Sequence, residues 1–250
     1  MDMRVTGDGP AEPFLGAASL FETEHDLEWP VRIDIRADPD ERTRVCHDDG
    51  THRLIISRQA ATSAMARELA LHEFAHMRHH EDGHPSHVQS LEEVLFLALT
   101  GRSVERRKVT HCYQIANHVK DIYADDLWIG LAPTEKLVRF FESTLAAAVA
   151  DRPADPSPAW DRLTPAADPD ITAVNAAFAL ALCERHDLLD RDHRIYELAR
   201  VAARDAPDVG FETFKHRFRA LDPDPDASDY RKSMVEITRE YVLGSEQAAD

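Results

Sequence analysis

Several residue types that mark familiar classes of protein are scarce in this 250-residue chain. Its three cysteines, Cys46, Cys112 and Cys183, are far apart and form no Cys-x-x-Cys pair, which excludes a disulfide framework and a thiolate zinc knuckle. Its nine glycines form neither a phosphate-binding loop nor a dinucleotide-binding motif. No apolar run approaches the roughly 18 residues that a membrane-spanning helix needs.

Basic residues, and lysine above all, are also few. Lysine and arginine together number 29, of which five are lysine, against 46 aspartates and glutamates, and the formal net charge is −17. A chain without a basic face is not expected to bind nucleic acid or an anionic membrane surface. An acidic surface with arginine in place of lysine is typical of proteins that stay hydrated in a salt-rich cytoplasm, and it predicts a halophilic archaeal source. Free thiols and the lack of a basic, then apolar, leader in residues 1–9 favour a cytoplasmic location.

Strand patterns are confined to the first sixty residues. Residues 31–36 alternate apolar and charged side chains, which is the period of a half-buried strand. Residues 44–47 and 52–57 flank the turn sequence Asp48-Asp49-Gly50 and predict a β-hairpin. Residues 1–13 are polar, contain glycine and proline, and are expected to be loosely ordered.

Helical periodicity begins near residue 61 and dominates the remaining chain. The expected helices cover residues 61–80, 88–99, 104–128, 134–150, 171–186, 192–204, 209–221 and 228–243. The predicted fold class is therefore α+β and predominantly helical, with a small N-terminal sheet of a hairpin and one strand packed on the first long helix. Residues 151–170 are rich in proline and aspartate and predict a linker or loop between a core at 1–150 and a helical lobe at 171–250.

The first long helix carries the sequence His72-Glu73-Phe74-Ala75-His76, an H-E-x-x-H motif. On a helix the two histidines lie about 40° apart and about 6 Å apart along the axis, so both imidazoles can reach one metal ion. Glu73 points to the same side, about 60° from His76, where it can accept a proton from a metal-bound water. The spacing therefore predicts a metal site with Glu73 as its general base.

A helix with this motif directly after a β-hairpin resembles the zincin metallopeptidases, in which an edge strand of the sheet precedes the H-E-x-x-H helix. The resemblance covers residues 31–128. It implies a catalytic Zn²⁺ held by His72, His76 and a third protein ligand, with one coordination position left open. The composition around it has the character of a haloarchaeal family.

The third ligand is sought on a later helix. Asn117, Asp121 and Asp125 follow one another at a spacing of four, which places them on one helical face. This segment looks like the second metal helix of small bacterial and archaeal zincin-like proteins, and the resemblance implies that Asp121 is the third ligand, with Asn117 and Asp125 in support. Glu92, Glu93 and Asp125 remain alternative third ligands.

Other side chains are expected near the site. Four histidines follow the motif closely, namely His79, His80, His84 and His87. They are expected to end the helix near the mouth of the site, as supports of the ligands or as donors to the transition state. Tyr113 shares a face with Asn117 and Asp121, so it is a candidate catalytic donor to a developing oxyanion.

The predicted function is that of a cytoplasmic, zinc-dependent metallohydrolase, most simply a peptidase acting on a peptide or protein. An extended substrate would add itself to the edge strand of the sheet. Two alternatives stay open. The chain could keep the zincin fold as a binding or regulatory protein without peptidase activity, or it could hydrolyse a substrate that is not a peptide.

Overall fold

The computed structural model describes residues 1–151 and 168–247, so the predicted linker at 151–170 lies almost entirely outside the described residues. Within them the protein is predominantly helical, with a small four-stranded sheet near the N-terminus that is followed by helices. This confirms the predicted α+β class.

The secondary structure elements of the described residues are as follows. The strands are β1 Met3–Gly7, β2 Val31–Arg36, β3 Arg44–Asp48 and β4 Thr51–Ser57. The helices are α1 Glu12–Phe21, α2 Arg58–Ala61, α3 Ala66–Glu81, α4 Pro85–Val88, α5 Leu91–Leu99, α6 Arg106–Trp128, α7 Glu135–Ala150, α8 Pro169–Arg185, α9 Ile195–Asp205, α10 Phe211–Arg219 and α11 Ala227–Gln247. Short 3₁₀ turns lie at Ile129–Leu131 and Pro207–Val209.

The sheet has the strand order β1-β2-β4-β3. Strands β1, β2 and β4 run parallel, whereas β3 pairs antiparallel with β4 and forms one edge of the sheet. The predicted hairpin is confirmed, because Asp48 pairs with Thr51 across a two-residue turn. Asp49 and Gly50 have φ values of 46° and 74°, which is the left-handed conformation that a tight hairpin turn of this length requires.

Strand β1 corrects the prediction that the first thirteen residues are loosely ordered. Residues 3–7 pair in parallel with β2, from Met3 opposite Val31 to Gly7 opposite Ile35. The pairing partner is distant in sequence, and a polar edge strand carries no strong apolar alternation, so the local pattern did not reveal it. Gly7 has a φ of 99°, and a Cβ atom there would lie 2.1 Å from the carbonyl oxygen of Ile35, so no larger residue fits.

Contacts divide the chain into two compact units, of which the first contains Met1–Val88 and Tyr123–Leu137. Its core lies between the sheet and the helices, where Ile33, Leu54 and Ile56 are fully buried. Helix α3 packs against α1 and also contacts the edge strand β3. The motif helix thereby lies beside the edge strand β3.

The second unit contains Gln89–Ile122 and Val138–Asp250. Its central element is α8, in which nearly every side chain from residue 169 to residue 183 is buried, as expected for a helix that is apolar on all sides. Helices α9 and α10 pack against α8, and α11 packs against α5. Among residues 1–151 and 168–247, none of the helices combines the length and the apolar content that crossing a bilayer requires.

Candidate metal centre

The residues of the H-E-x-x-H motif lie on α3, as the sequence predicts. One side of this helix is fully buried in the first unit, through Ala70, Leu71, Phe74, Ala75 and Met77. The two motif histidines are one turn apart and only half-buried. Glu73 is 8% exposed. The packed side of the helix therefore fixes the histidines, which keep partial access to solvent.

His72 and His76 turn the same ring nitrogen toward each other. Their Nε2 atoms are 2.9 Å apart, and the two rings are perpendicular with centroids 4.5 Å apart. Two nitrogen ligands at 2.0–2.1 Å from a tetrahedral zinc ion are separated by about 3.3 Å. The two atoms thus lie within about half an ångström of the separation that zinc coordination needs.

The other nitrogen of His72 is held by a carboxylate. Its Nδ1 lies 2.7 Å from Oδ1 of Asp125, and the indole N–H of Trp128 donates to the same oxygen at 2.6 Å. Asp125 is 4% exposed and Trp128 is 2% exposed. Because an ionised carboxylate only accepts hydrogen bonds, His72 carries its proton on Nδ1, and its Nε2 presents a lone pair. A metal-binding histidine commonly has such a partner, which sets its tautomer and orientation.

The other nitrogen of His76 also has a protein partner. Nδ1 of His76 lies 2.8 Å from Nε2 of His87, which belongs to α4. Helix α4 contacts α3, and its residue Ser86 is buried. Both motif histidines are therefore held through Nδ1, so that their Nε2 atoms remain on the side where the rings converge.

Two groups of three potential metal ligands occur among the described residues, and in each group one ligand atom per residue lies within 4.8 Å of the others. One group is His72, His76 and Asp121, the set that the sequence predicts. Asp121 precedes Asp125 by one turn of α6, so a single helix carries both carboxylates on one face. The second group is His111, Asp168 and Asp170.

The second group is better explained as an ion-pair network. Arg107 donates from Nε and Nη2 to the two carboxylate oxygens of Asp168, at 2.6 and 2.7 Å, and its Nη2 also reaches Asp170. Nε2 of His111 lies 3.2 Å from Asp168, and Nδ1 of His111 contacts the Tyr241 hydroxyl. Burial raises the pKa of Asp168, but hydrogen bonds from His111 and Arg107 outweigh it and lower that pKa. The arginine already balances this carboxylate.

The remaining predicted site residues lie elsewhere in the second unit. Glu92 and Glu93 are exposed in the first turn of α5, where Ser90 caps the helix by accepting from the backbone N–H of Glu93. Tyr113 is 38% exposed and lines a surface cleft with Phe96. None of these three belongs to either group of potential ligands in the described residues.

Three of the histidines that follow the motif pack together near the site. Nε2 of His79 donates to the backbone carbonyl of Tyr123 at 2.9 Å, and burial lowers the pKa of His79. The His79 ring stacks on that of His87, with centroids 5.2 Å apart, and contacts that of His84 at 4.4 Å. These contacts bind the end of α3 to α4 and to the last turns of α6.

His80 belongs to a different cluster, which anchors the edge strand. Its ring stacks on that of His47 in β3 at 3.7 Å, and Nδ1 of His47 lies 2.7 Å from Nδ1 of the fully buried His52 in β4. Nε2 of His52 donates to Glu81 at 2.9 Å, and Glu81 also accepts the backbone N–H of Trp29. The sequence pattern did not indicate this cluster, because its members come from three separate elements.

The comparison with family models matches residues 1–243 of the chain, and the matching model is described as a family of unknown function (DUF5781). The comparison with curated proteins found no match.

Proposed function

We propose that this chain, which belongs to the DUF5781 family, is a zinc-dependent metallohydrolase. The observation that carries the proposal is the pair of imidazoles on α3. Their Nε2 atoms face each other at 2.9 Å, while each Nδ1 is engaged by a protein partner, Asp125 in one case and His87 in the other. Two ring nitrogens brought together at this distance bind either a shared proton or a shared metal ion, and a metal ion is favoured when both Nδ1 atoms carry the ring protons.

The donors fit zinc. His72, His76 and Asp121 would supply two imidazole nitrogens and one carboxylate oxygen, a set of three that is usual in catalytic zinc sites and leaves a fourth position for water or substrate. When bound there, zinc would supply Lewis acidity and lower the pKa of a water molecule toward neutrality.

Glu73 is the general base of the proposed reaction. It directly follows the first histidine and lies within the helix that holds both nitrogens, so it can accept a proton from a water molecule beside them. The same carboxylic acid can then return that proton to the leaving amine. Burial of the Glu73 side chain keeps bulk water from competing for this exchange.

A peptide is the substrate class that the surroundings favour. Strand β3 lies at the edge of the sheet, contacts α3, and is anchored by the stack of His47 on His80. An extended peptide can pair its backbone with such an edge and so pass beside the motif helix. We propose that the reaction takes place in the cytoplasm, in accord with the acidic, lysine-poor composition.

The test begins with metal content. The protein is purified without a histidine tag in molar KCl and measured by elemental mass spectrometry, beside His72→Ala, Asp121→Ala and, as a control, His216→Ala at an exposed position of α10. We expect one zinc ion per chain in the wild type and the control, and loss in the other two. Zinc retained by Asp121→Ala would transfer the third-ligand role to Asp125, since Glu92 and Glu93 belong to neither group of potential ligands among the described residues.

The second step is hydrolysis of a peptide library, with Glu73→Gln as the matched variant. Cleavage by the wild type that is lost in Glu73→Gln, at unchanged zinc content, supports the peptidase. Zinc binding without peptide cleavage would direct the search to substrates that are not peptides or to a binding role. Absence of zinc under every loading condition would refute the proposed function.

A further inference from the structure

A chain of hydrogen bonds continues beyond His76. Nδ1 of His76 is 2.8 Å from Nε2 of His87, and Nδ1 of His87 is 2.7 Å from the hydroxyl oxygen of Ser86. That hydroxyl lies 2.7 Å from Nδ1 of His84, and the same nitrogen accepts the backbone N–H of Ser86 at 3.3 Å. Four side chains thus form a continuous path that ends at a backbone amide.

When the imidazoles are neutral, the backbone amide determines the direction of every bond in this path. A backbone N–H can only donate, so Nδ1 of His84 is an acceptor, and the Ser86 hydroxyl donates its single proton to that nitrogen. The hydroxyl oxygen then accepts from Nδ1 of His87. A neutral His87 with its proton on Nδ1 has a lone pair on Nε2, which accepts the Nδ1 proton of His76. His76 is left with its lone pair on Nε2, the nitrogen that faces His72.

We propose that His87, oriented by Ser86 and His84, is a positioning residue that fixes the proton of His76 on Nδ1 and thereby presents Nε2 for metal binding. This inference rests on the proposed metal site. It assigns to His76 a neutral imidazole partner, whereas His72 has a carboxylate partner, Asp125. The two proposed histidine ligands would thus be oriented by chemically different partners, a carboxylate for His72 and an imidazole for His76.

The position of His87 is itself fixed by packing. The chain turns at Gly83, just after the end of α3, where φ is 65°. Ser86, which follows this turn, is buried. The ring of His79 stacks against His87 and contacts His84, and His79 is in turn held by the carbonyl of Tyr123. Rotation of the His87 ring would break both its stack and its hydrogen bond to Ser86.

The test compares His87→Ala with His87→Gln, because the glutamine Oε1 can accept the Nδ1 proton of His76 in place of the imidazole. His216→Ala again serves as the exposed control. The dissociation constant of Co²⁺ or Zn²⁺ is measured by competition with a chelator, and the visible spectrum of the Co²⁺ form reports ligand geometry. We expect affinity to fall about 10- to 100-fold in His87→Ala, as for other partners of metal-binding histidines, and to recover in His87→Gln.

A second measurement does not depend on bound metal. Nitrogen-15 NMR of the metal-free protein distinguishes a ring that is protonated on Nδ1 from one protonated on Nε2. We expect the Nδ1–H form of His76 in the wild type, His87→Gln and His216→Ala, and a mixture of both forms in His87→Ala. Ser86→Ala, which retains the His87 ring, is expected to weaken metal binding less than His87→Ala does.

The outcomes separate this inference from the proposed function. Unchanged metal affinity and an unchanged His76 tautomer in His87→Ala would overturn it, and so would a His87→Gln protein that binds metal as weakly as His87→Ala. If the wild type binds metal but cleaves no peptide, the inference about His87 stands, whereas the proposed peptidase activity is refuted. If the wild type binds no metal, the metal-binding part of the inference fails together with the proposed function. The tautomer measurement then tests only whether His87 fixes the proton of His76: a mixture of both forms in His87→Ala supports this, and an unchanged Nδ1–H form refutes it.

Discussion

Replacing Asp125 with alanine removes one oxygen that accepts from a buried donor, Trp128, and a partly exposed one, His72. The cost in stability can be estimated from these two contacts. The indole N–H of Trp128 donates to Oδ1 at 2.6 Å, and water does not reach this ring, so leaving the N–H without an acceptor costs about 2 kcal/mol. Nδ1 of His72, at 2.7 Å, adds about 1 kcal/mol, because a side chain that is 21% exposed can regain part of the bond from water.

The expected loss is therefore about 3 kcal/mol in the free energy of unfolding, which corresponds to a fall of roughly 6–12 °C in Tm for a chain of this size. Thermal unfolding followed by circular dichroism measures it. Asp125→Asn is the matched control, since an amide oxygen in the same place accepts both bonds and only the charge is lost. We expect less than half the loss in Asp125→Asn. The reasoning is refuted if Asp125→Ala melts within about 2 °C of the wild type.

Three further outcomes are expected. Glu73→Gln should bind zinc like the wild type but lower kcat on a cleaved peptide by about 10²- to 10⁴-fold, measured at saturating substrate. Asp168→Asn should lower the free energy of unfolding by about 2 kcal/mol, because it removes the charge that binds Arg107 through two hydrogen bonds. The pKa of Asp168 is lowered in the folded state, so its contribution to the free energy of unfolding is present above about pH 4 and is lost as the pH falls further. The difference in stability between wild type and variant should therefore shrink in acid denaturation curves. Gly7→Ala should destabilise the sheet by more than about 2 kcal/mol in urea unfolding, through a clash with the carbonyl of Ile35; equal midpoints would contradict this.

What the sequence could predict was local. The hairpin follows from two alternating segments around a turn of aspartates and glycine, and the motif helix follows from apolar spacing that ends at Asp82 and Gly83. The face shared by Asp121 and Asp125 likewise depends only on the period of one helix. In each case the residues that determine the structure are neighbours along the chain.

The features that the sequence did not predict depend on tertiary contacts, several of them between segments that are distant along the chain. Strand β1 gains its order from β2, which lies beyond an intervening helix. Trp128 follows Asp125 by three residues, yet only the folded structure shows that its indole N–H donates to that carboxylate. Four histidines follow the motif, and the sequence does not show which of them contacts His76. His87 does so because the chain turns at Gly83 and α4 packs back against α3. Amino-acid composition alone does not rank these histidines as partners of His76.

If the proposed site holds zinc, the carboxylate of Asp125 would also contribute to the charge that a substrate meets there. With zinc bound, ionised Asp121 and Asp125 would together cancel the two positive charges of the ion. An ionised Glu73 would then leave the proposed centre with one negative charge, within a chain whose net charge is −17. Phosphate esters and other anions would be repelled from such a centre, whereas the carbonyl of a neutral amide would not. In the proposed zinc site, the charge of this one buried side chain would therefore favour a neutral peptide over an anionic substrate.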